Sequence, residues 1–170
     1  MAPLVFIGFM GCGKSRVGHR VAEILGRDFV DLDAVIERHA GRSIPEIFAE
    51  QGEPVFRALE TEVLAARLSE APDGVLATGG GAWMEARNRA RCRDAGAVSV
   101  YLDVPWEILL ERIERQPERR PLYAGADATR RLYEHRVPTY RLADLIIATS
   151  GREPVDTVAH RVVRALSEAA

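Results

Sequence analysis

Short apolar runs alternate along the chain with longer stretches in which apolar residues recur every three or four positions. The runs at 4–8, 28–31, 75–78, 98–103 and 145–148 have the length of strands. Most are continuously apolar, the pattern of strands covered on both faces. Helical periodicity predicts helices over 15–25, 32–40, 43–50, 53–68, 85–94, 105–115, 128–142 and 154–168. In the first of these, Val17, Val21, Ile24 and Leu25 share one face. Ser43 and Glu46 have capping-box spacing, and Pro45, Pro54, Pro105 and Pro154 sit where helices begin. Pro138 falls late in its segment and is expected to bend or end it. Strands separated by helices predict an α/β fold in three layers, a parallel sheet with helices on both faces. In such sheets ligands collect at the carboxyl ends of the strands.

Two regions break the alternation. Residues 32–70 hold about three helical segments between consecutive strands, more than one crossover needs. This insertion is expected to carry a substrate site. The second region, residues 112–125, ends in the polar, turn-rich stretch 116–125 and is expected to form a mobile lid. No repeat, linker or low-complexity tract divides the chain, so residues 1–170 are expected to be one domain.

Composition narrows the classes. A hydrophobic fraction of 47% with a mean hydropathy of -0.10 describes a globular chain. The net charge of -2 supplies no basic field for nucleic acid. No apolar run reaches membrane-spanning length, and no signal-peptide pattern is present. Cys12 and Cys92 are too few for a disulfide framework, and no Cys/His spacing suggests zinc. A cytoplasmic protein acting as a monomer on small molecules is expected.

The strongest local signal is Gly8-Phe9-Met10-Gly11-Cys12-Gly13-Lys14-Ser15, which fits the phosphate-cradling loop G-x-x-x-x-G-K-[ST]. It lies between a predicted strand and a predicted helix, as that loop requires. Lys14 is the one lysine among 23 basic side chains; arginine fills every other basic position. An ammonium on a slender stem reaches between phosphates where a broad guanidinium would not fit. Glycines let successive N–H groups converge on one anion, and the Ser15 hydroxyl can bind the accompanying Mg²⁺. Cys12 reads as a small loop residue without chemistry of its own.

Other candidates depend on this context. Asp31 and Asp33 follow the second strand, and on a strand their i, i+2 spacing would turn both carboxylates to one face. One could serve Mg²⁺ through water and the other could accept a substrate hydroxyl proton. An ordinary helix N-cap is the competing reading. Gly79-Gly80-Gly81 after the third strand offers N–H groups and close backbone approach. Arg57, Arg112, Arg120 and Arg136 stand around the presumed pocket, and Glu60, one helical turn from Arg57, could hold its guanidinium. The alternating Arg87, Arg89, Arg91 and Arg93 read as a solvated surface. His19, His39, His135 and His160 have no ligand-like spacing, and Trp83 and Trp106 read as packing or pocket-wall residues.

Taken together, these residues resemble the shikimate kinase family along nearly the whole chain. The resemblance is carried by Gly8–Ser15, Asp31-Leu32-Asp33, Gly41-Arg42-Ser43-Ile44 with Ile47-Phe48, Phe56-Arg57 with Glu60, and Gly79-Gly80-Gly81-Ala82. It continues in Arg120-Pro121-Leu122, Arg136 with Tyr140-Arg141, and Arg152 with Pro154. It implies a phosphate-loop kinase fold with a five-stranded parallel sheet of order 2-3-1-4-5. It also implies transfer of the γ-phosphoryl of ATP to the 3-hydroxyl of shikimate, on the way to chorismate and the aromatic amino acids.

By that resemblance Lys14, Asp33 and Arg120 are catalytic, and Asp33 is the base. Gly11, Cys12, Gly13, Lys14, Ser15, Arg16, Arg112, Arg120, Arg152 and Pro154 contact ATP. Asp33, Arg57, Gly79, Gly80, Gly81 and Arg136 contact shikimate, and Ser15 and Asp31 serve Mg²⁺. One position departs: Arg16 stands where the family often has a second hydroxyl residue that touches the α-phosphate. A gluconate kinase shares the loop and the need to bind a hydroxy acid. A nucleotide-binding regulator without catalysis would keep the loop and lose a chemical residue, but Lys14, Asp33 and Arg120 are all present.

Overall fold

The computed structural model describes residues 1–116 and 122–169. Five strands form one parallel sheet: β1 (Leu4–Ile7), β2 (Phe29–Asp31), β3 (Val75–Ala77), β4 (Val98–Asp103) and β5 (Leu145–Ala148), in the order β2-β3-β1-β4-β5. The central strand β1 pairs Leu4 with Val75 on one side and with Val98 on the other. Its four residues are all buried, which explains why its sequence is uniformly apolar.

Among the described residues the helices are α1 (Lys14–Leu25), α2 (Leu32–Ala40), α3 (Ile44–Gln51), α4 (Glu53–Glu70), α5 (Ala86–Asp94), α6 (Trp106–Glu114), α7 (Ala126–Tyr140) and α8 (Val155–Ala169). They cover both faces of the sheet. Helix α1 packs along α8 and over β2 and β3, while α4 packs on α5, which meets β4. The core runs through Phe6, Ile7, Val21, Leu76, Val100, Leu102 and Val162, each almost wholly removed from water.

The expected order of elements is observed, with shifts at the ends. The segment expected at 128–142 spans Ala126–Tyr140, and Pro138 lies inside its last turn. The helix ends within one turn of that proline, which cannot donate to the preceding carbonyl. The segment expected at 105–115 begins after Pro105, which serves as its N-cap. A short 3-10 turn, Ala82–Met84, follows the glycine triplet and carries no periodicity that would have announced it. The insertion holds three helices, α2, α3 and α4. Ser43 and Glu46 form the expected reciprocal capping box at the start of α3.

Candidate active site at the carboxyl ends of the strands

The loop after β1 is shaped by its glycines. Gly11 and Gly13 have φ of 81° and 97°, a region that side chains rarely enter, and Gly13 caps α1. The first hydrogen bond that closes α1 runs from Val17 N–H to Gly13 O at 2.9 Å. The amides of Lys14, Ser15 and Arg16 precede it and have no partner within the helix. They sit at the positive end of the α1 dipole, the natural seat of a phosphate. The Lys14 ammonium is buried and donates to Gly8 O at 2.9 Å and Phe9 O at 3.1 Å, with the Cys12 sulfur at 3.7 Å.

This loop floors a cavity of about 480 Å³. Gly11, Cys12, Gly13, Lys14, Ser15, Arg16 and Arg112 all line it. Arg112 reaches across from α6 and donates to Gly11 O at 2.8 Å and to Gly151 O, so it joins the phosphate loop to the loop before α8. The far wall differs from expectation. Gly151, Glu153, Val155 and Val158 line it, whereas Arg152 and Pro154 do not. The Arg152 side chain is mostly exposed and pairs with Glu111 at 3.0 Å. The sequence marks the right segment, but its alternating exposure turns the neighbours inward. Glu153 is held by Arg161, Thr149 and Ser150, contacts that draw its carboxyl well below the usual range, the Arg161 bond most of all.

A second cavity, of about 540 Å³, opens beside the first. Asp31, Asp33, Arg57, Gly79, Gly80, Gly81 and Arg136 line it, together with Met10, Glu37, Ile44, Phe48, Phe56 and Leu122. Ile44, Phe48 and Phe56 carry the family resemblance but were given no site role by the sequence, because apolar residues on α3 and α4 look the same whether they pack in the core or wall a cavity. Met10, Ser15, Asp33, Gly79 and Gly80 border both cavities. The two spaces therefore meet between the phosphate loop and the end of β3.

The aspartates correct a premise. Asp31 ends β2, but Asp33 lies in the first turn of α2, so they do not share a strand face. The capping and functional readings both hold for Asp31. Its Oδ1 accepts from the Asp33 and Ala34 amides at 3.0 and 3.3 Å, while its Oδ2 accepts from the Ser15 hydroxyl at 2.5 Å. A hydroxyl and a carboxylate joined in this way are a hard-oxygen donor pair that suits Mg²⁺, which retains most of its waters and needs few protein ligands. Among the described residues no group of three or more His, Cys, Asp or Glu is placed to hold a metal ion.

The glycine triplet is also explained differently. None of Gly79, Gly80 and Gly81 has a positive φ. Their smallness serves packing: a Cβ on Gly79 would lie 2.5 Å from Glu60 Oε1 and 3.1 Å from Asp33 Oδ1, and one on Gly81 would collide with the Arg57 guanidinium. Glu60 is fully buried and accepts from Arg57 Nη1 at 2.7 Å. Arg57 also bonds Glu53 and lies 5.1 Å over the Phe56 ring. Burial pushes the Glu60 carboxyl up to about 7, with Arg57 pulling it down and Asp33 pushing the same way as burial. Arg136 is buried on α7, with its guanidinium 5.9 Å from the Phe9 ring centre. Tyr140, one turn on, donates to Gly80 O and ties α7 to the triplet. Arg120 lies outside the described residues. Trp83 is buried away from both cavities, and Trp106 packs in a cluster with Phe9 and Tyr133.

Two outcomes follow for this wall. Gly79→Ala places a methyl against a buried carboxylate and lowers the unfolding free energy by about 1–3 kcal/mol in urea melts; wild-type stability would contradict the packing. Because the Glu60 value is raised in the folded chain from 4.5 to about 7, its stabilisation is full below the lower value and is lost as pH rises through the upper one. Wild-type stability therefore falls more steeply than that of Glu60→Gln between about pH 4.5 and about pH 7. Parallel stability curves would contradict the burial of an ionisable group there.

Comparison with known proteins places this geometry. The shikimate kinase family model matches residues 10–167. The chain is 43% identical over 167 residues to a shikimate kinase of Ruegeria pomeroyi, covering 96% of this chain and 84% of that one. It is 44% identical over 169 residues to one of Caulobacter vibrioides, covering 98% and 82%. A solved shikimate kinase from Acinetobacter baumannii in complex with shikimate superposes with a TM-score of 0.92 at 37% identity, covering 99% of this chain and 94% of that one. A gluconokinase from Sinorhizobium meliloti, at 18% identity, TM-score 0.60, and coverage of 99% and 93%, shares the fold alone. The chain belongs to the shikimate kinase family.

Proposed function

We propose that this protein transfers the γ-phosphoryl group of ATP to the 3-hydroxyl of shikimate, giving shikimate 3-phosphate and ADP for chorismate and aromatic amino acid synthesis. The observation that carries this reading is the junction of the two cavities at Ser15, Asp33 and Gly79–Gly80. It sets a phosphate loop beside a pocket that offers two arginines and a carboxylate. The solved relative with shikimate bound, which shares the fold over nearly the whole chain, supports the same acceptor.

In this reading the loop amides and Lys14 hold the nucleotide's phosphates, and Lys14 turns from the Gly8 and Phe9 carbonyls to do so. Ser15 and Asp31 would hold Mg²⁺, which when bound neutralises charge on the phosphate oxygens. Arg57 and Arg136 receive the shikimate carboxylate, since planar forks match its geometry. Glu60 and Glu53 keep Arg57 in place for that task. Asp33 faces the junction and accepts the 3-hydroxyl proton as the new P–O bond forms. The apolar side chains Phe48, Phe56 and Ile44 wall the ring and exclude water from the transfer. Residues 32–70 are then the acceptor-binding part of a single domain and 112–125 the lid, in which Arg120 closes on the phosphates as the resemblance implies. Each pocket is built within one chain, in keeping with a monomer, and two buried free thiols suit a reducing cytoplasm. Among the described residues no helix is long and apolar enough to cross a membrane.

A coupled ADP-release assay with Mg-ATP and shikimate, gluconate or no acceptor tests the reading. Shikimate-dependent release is expected, and turnover of gluconate but not shikimate would overturn it. Asp33→Asn lowers kcat at least about a hundredfold while ATP binding persists; near-normal kcat would refute its role as base. Arg136→Ala raises KM for shikimate about tenfold to a hundredfold, the loss of one charge-assisted contact. An unchanged KM would remove Arg136 from the acceptor site.

A further inference from the structure

Two arginines wall the second cavity, and they are held in different ways. Arg57 is bonded to two carboxylates, Glu53 and Glu60. Arg136, on α7, is 5% exposed, yet it forms no ion pair with any described residue. Glu60 feels its charge but is bonded to Arg57. A buried guanidinium without an anion is costly unless another group stabilises it. The group set against it here is the ring of Phe9. The guanidinium carbon lies over that ring, 5.9 Å from its centre, within the range at which the negative face of an aromatic ring attracts a cation. On its other side, Nη1 comes within 3.6 Å of where a Cβ on Gly80 would stand. The guanidinium is thus located between the glycine turn and the Phe9 ring.

Phe9 is itself firmly placed. It is 1% exposed and lines neither cavity, so it meets no substrate directly. Its ring packs edge-on with Tyr133 at 5.4 Å between centroids and against Trp106 at 6.5 Å. Tyr133 is three residues before Arg136 on α7, so one face of that helix brings both side chains to the same ring. The kind of partner matters at an anion site. A carboxylate would orient Arg136 but also neutralise it, and an incoming carboxylate would have to compete. A ring orients the guanidinium and leaves its charge and its N–H donors available. We propose that Phe9 is a positioning residue for the acceptor: its ring holds the Arg136 guanidinium beside Gly80 without neutralising it, ready for the acceptor's carboxylate. This rests on the reading of the second cavity as the acceptor site.

The test is Phe9→Leu, which keeps apolar bulk and loses the ring, made in the wild-type chain and in Arg136→Ala. Shikimate and its methyl ester are titrated calorimetrically into each protein, and steady-state kinetics are measured alongside. Phe9→Leu is expected to bind shikimate about threefold to tenfold more weakly, with KM for shikimate rising to match. Its kcat and its KM for ATP should stay within about twofold of wild type, since only acceptor binding is affected. The ester, which lacks the charge, should lose clearly less affinity than shikimate does. In the Arg136→Ala background Phe9→Leu should weaken shikimate no further, because the two changes remove one interaction. If Phe9→Leu does not fold, Phe9→Met, also apolar and ringless, carries the same comparison. Unchanged shikimate affinity in the ringless variant, an equal loss for the ester, or a loss that persists in Arg136→Ala would overturn the role of Phe9 while leaving the acceptor site intact. Failure of the wild-type chain to bind shikimate at all would overturn both readings.

Discussion

A carboxylate with no access to water, Glu60, sets the terms for the acceptor side of this molecule. Burying a charge is costly unless it is paired, and Arg57 is the pair that makes Glu60 tolerable. The same bond fixes the Arg57 guanidinium at the pocket wall. The chain after β3 must pass so close to both groups that side chains are excluded there, hence Gly79 and Gly81. Tyr140 then binds the Gly80 carbonyl and brings α7, with Arg136, against the same turn. The ion pair on α4, the glycine turn after β3 and the Tyr140 bond from α7 thus meet at one wall of the second cavity.

The parallel sheet does the rest by convergence. Strands β1, β2 and β3 are neighbours with their carboxyl ends on one edge, so the phosphate loop, Asp31 and the glycine triplet arrive together. The Ser15–Asp31 hydrogen bond shows how tightly the first two are joined. Asp33 comes two residues later, in the first turn of α2, and borders both cavities, the position a group must occupy to act on an acceptor hydroxyl beside a phosphate. Arg112 performs a similar bridging task on the other side, tying the loop to the segment before α8.

The phosphate loop, the strand order implied by the family resemblance and the triple-helical insertion were legible in the sequence, because each has a local pattern. Three features were not. The i, i+2 argument for Asp31 and Asp33 needed a strand running through Asp33, but β2 ends two residues earlier, at Asp31. The glycine triplet was read as offering N–H groups and close backbone approach to a ligand; the structure adds that a side chain at Gly79 or Gly81 would collide with Glu60 or Arg57, partners distant in sequence that no local pattern reveals. Arg152 and Pro154 were expected in the nucleotide cavity because their segment is right, but the turn before α8 directs Gly151, Glu153 and Val155 inward instead. Local rules place segments; the direction of a single side chain in a turn depends on what packs around it.

The central claim is that the Arg57–Arg136 wall reads a carboxylate. Titration calorimetry of shikimate and of its methyl ester into the protein with Mg-ADP tests it most directly. The ester keeps the ring and every hydroxyl but not the charge. The account predicts that the ester binds at least about tenfold more weakly than shikimate. Equal affinity for the two would contradict it, since the arginines would then be serving the fold and not the acceptor.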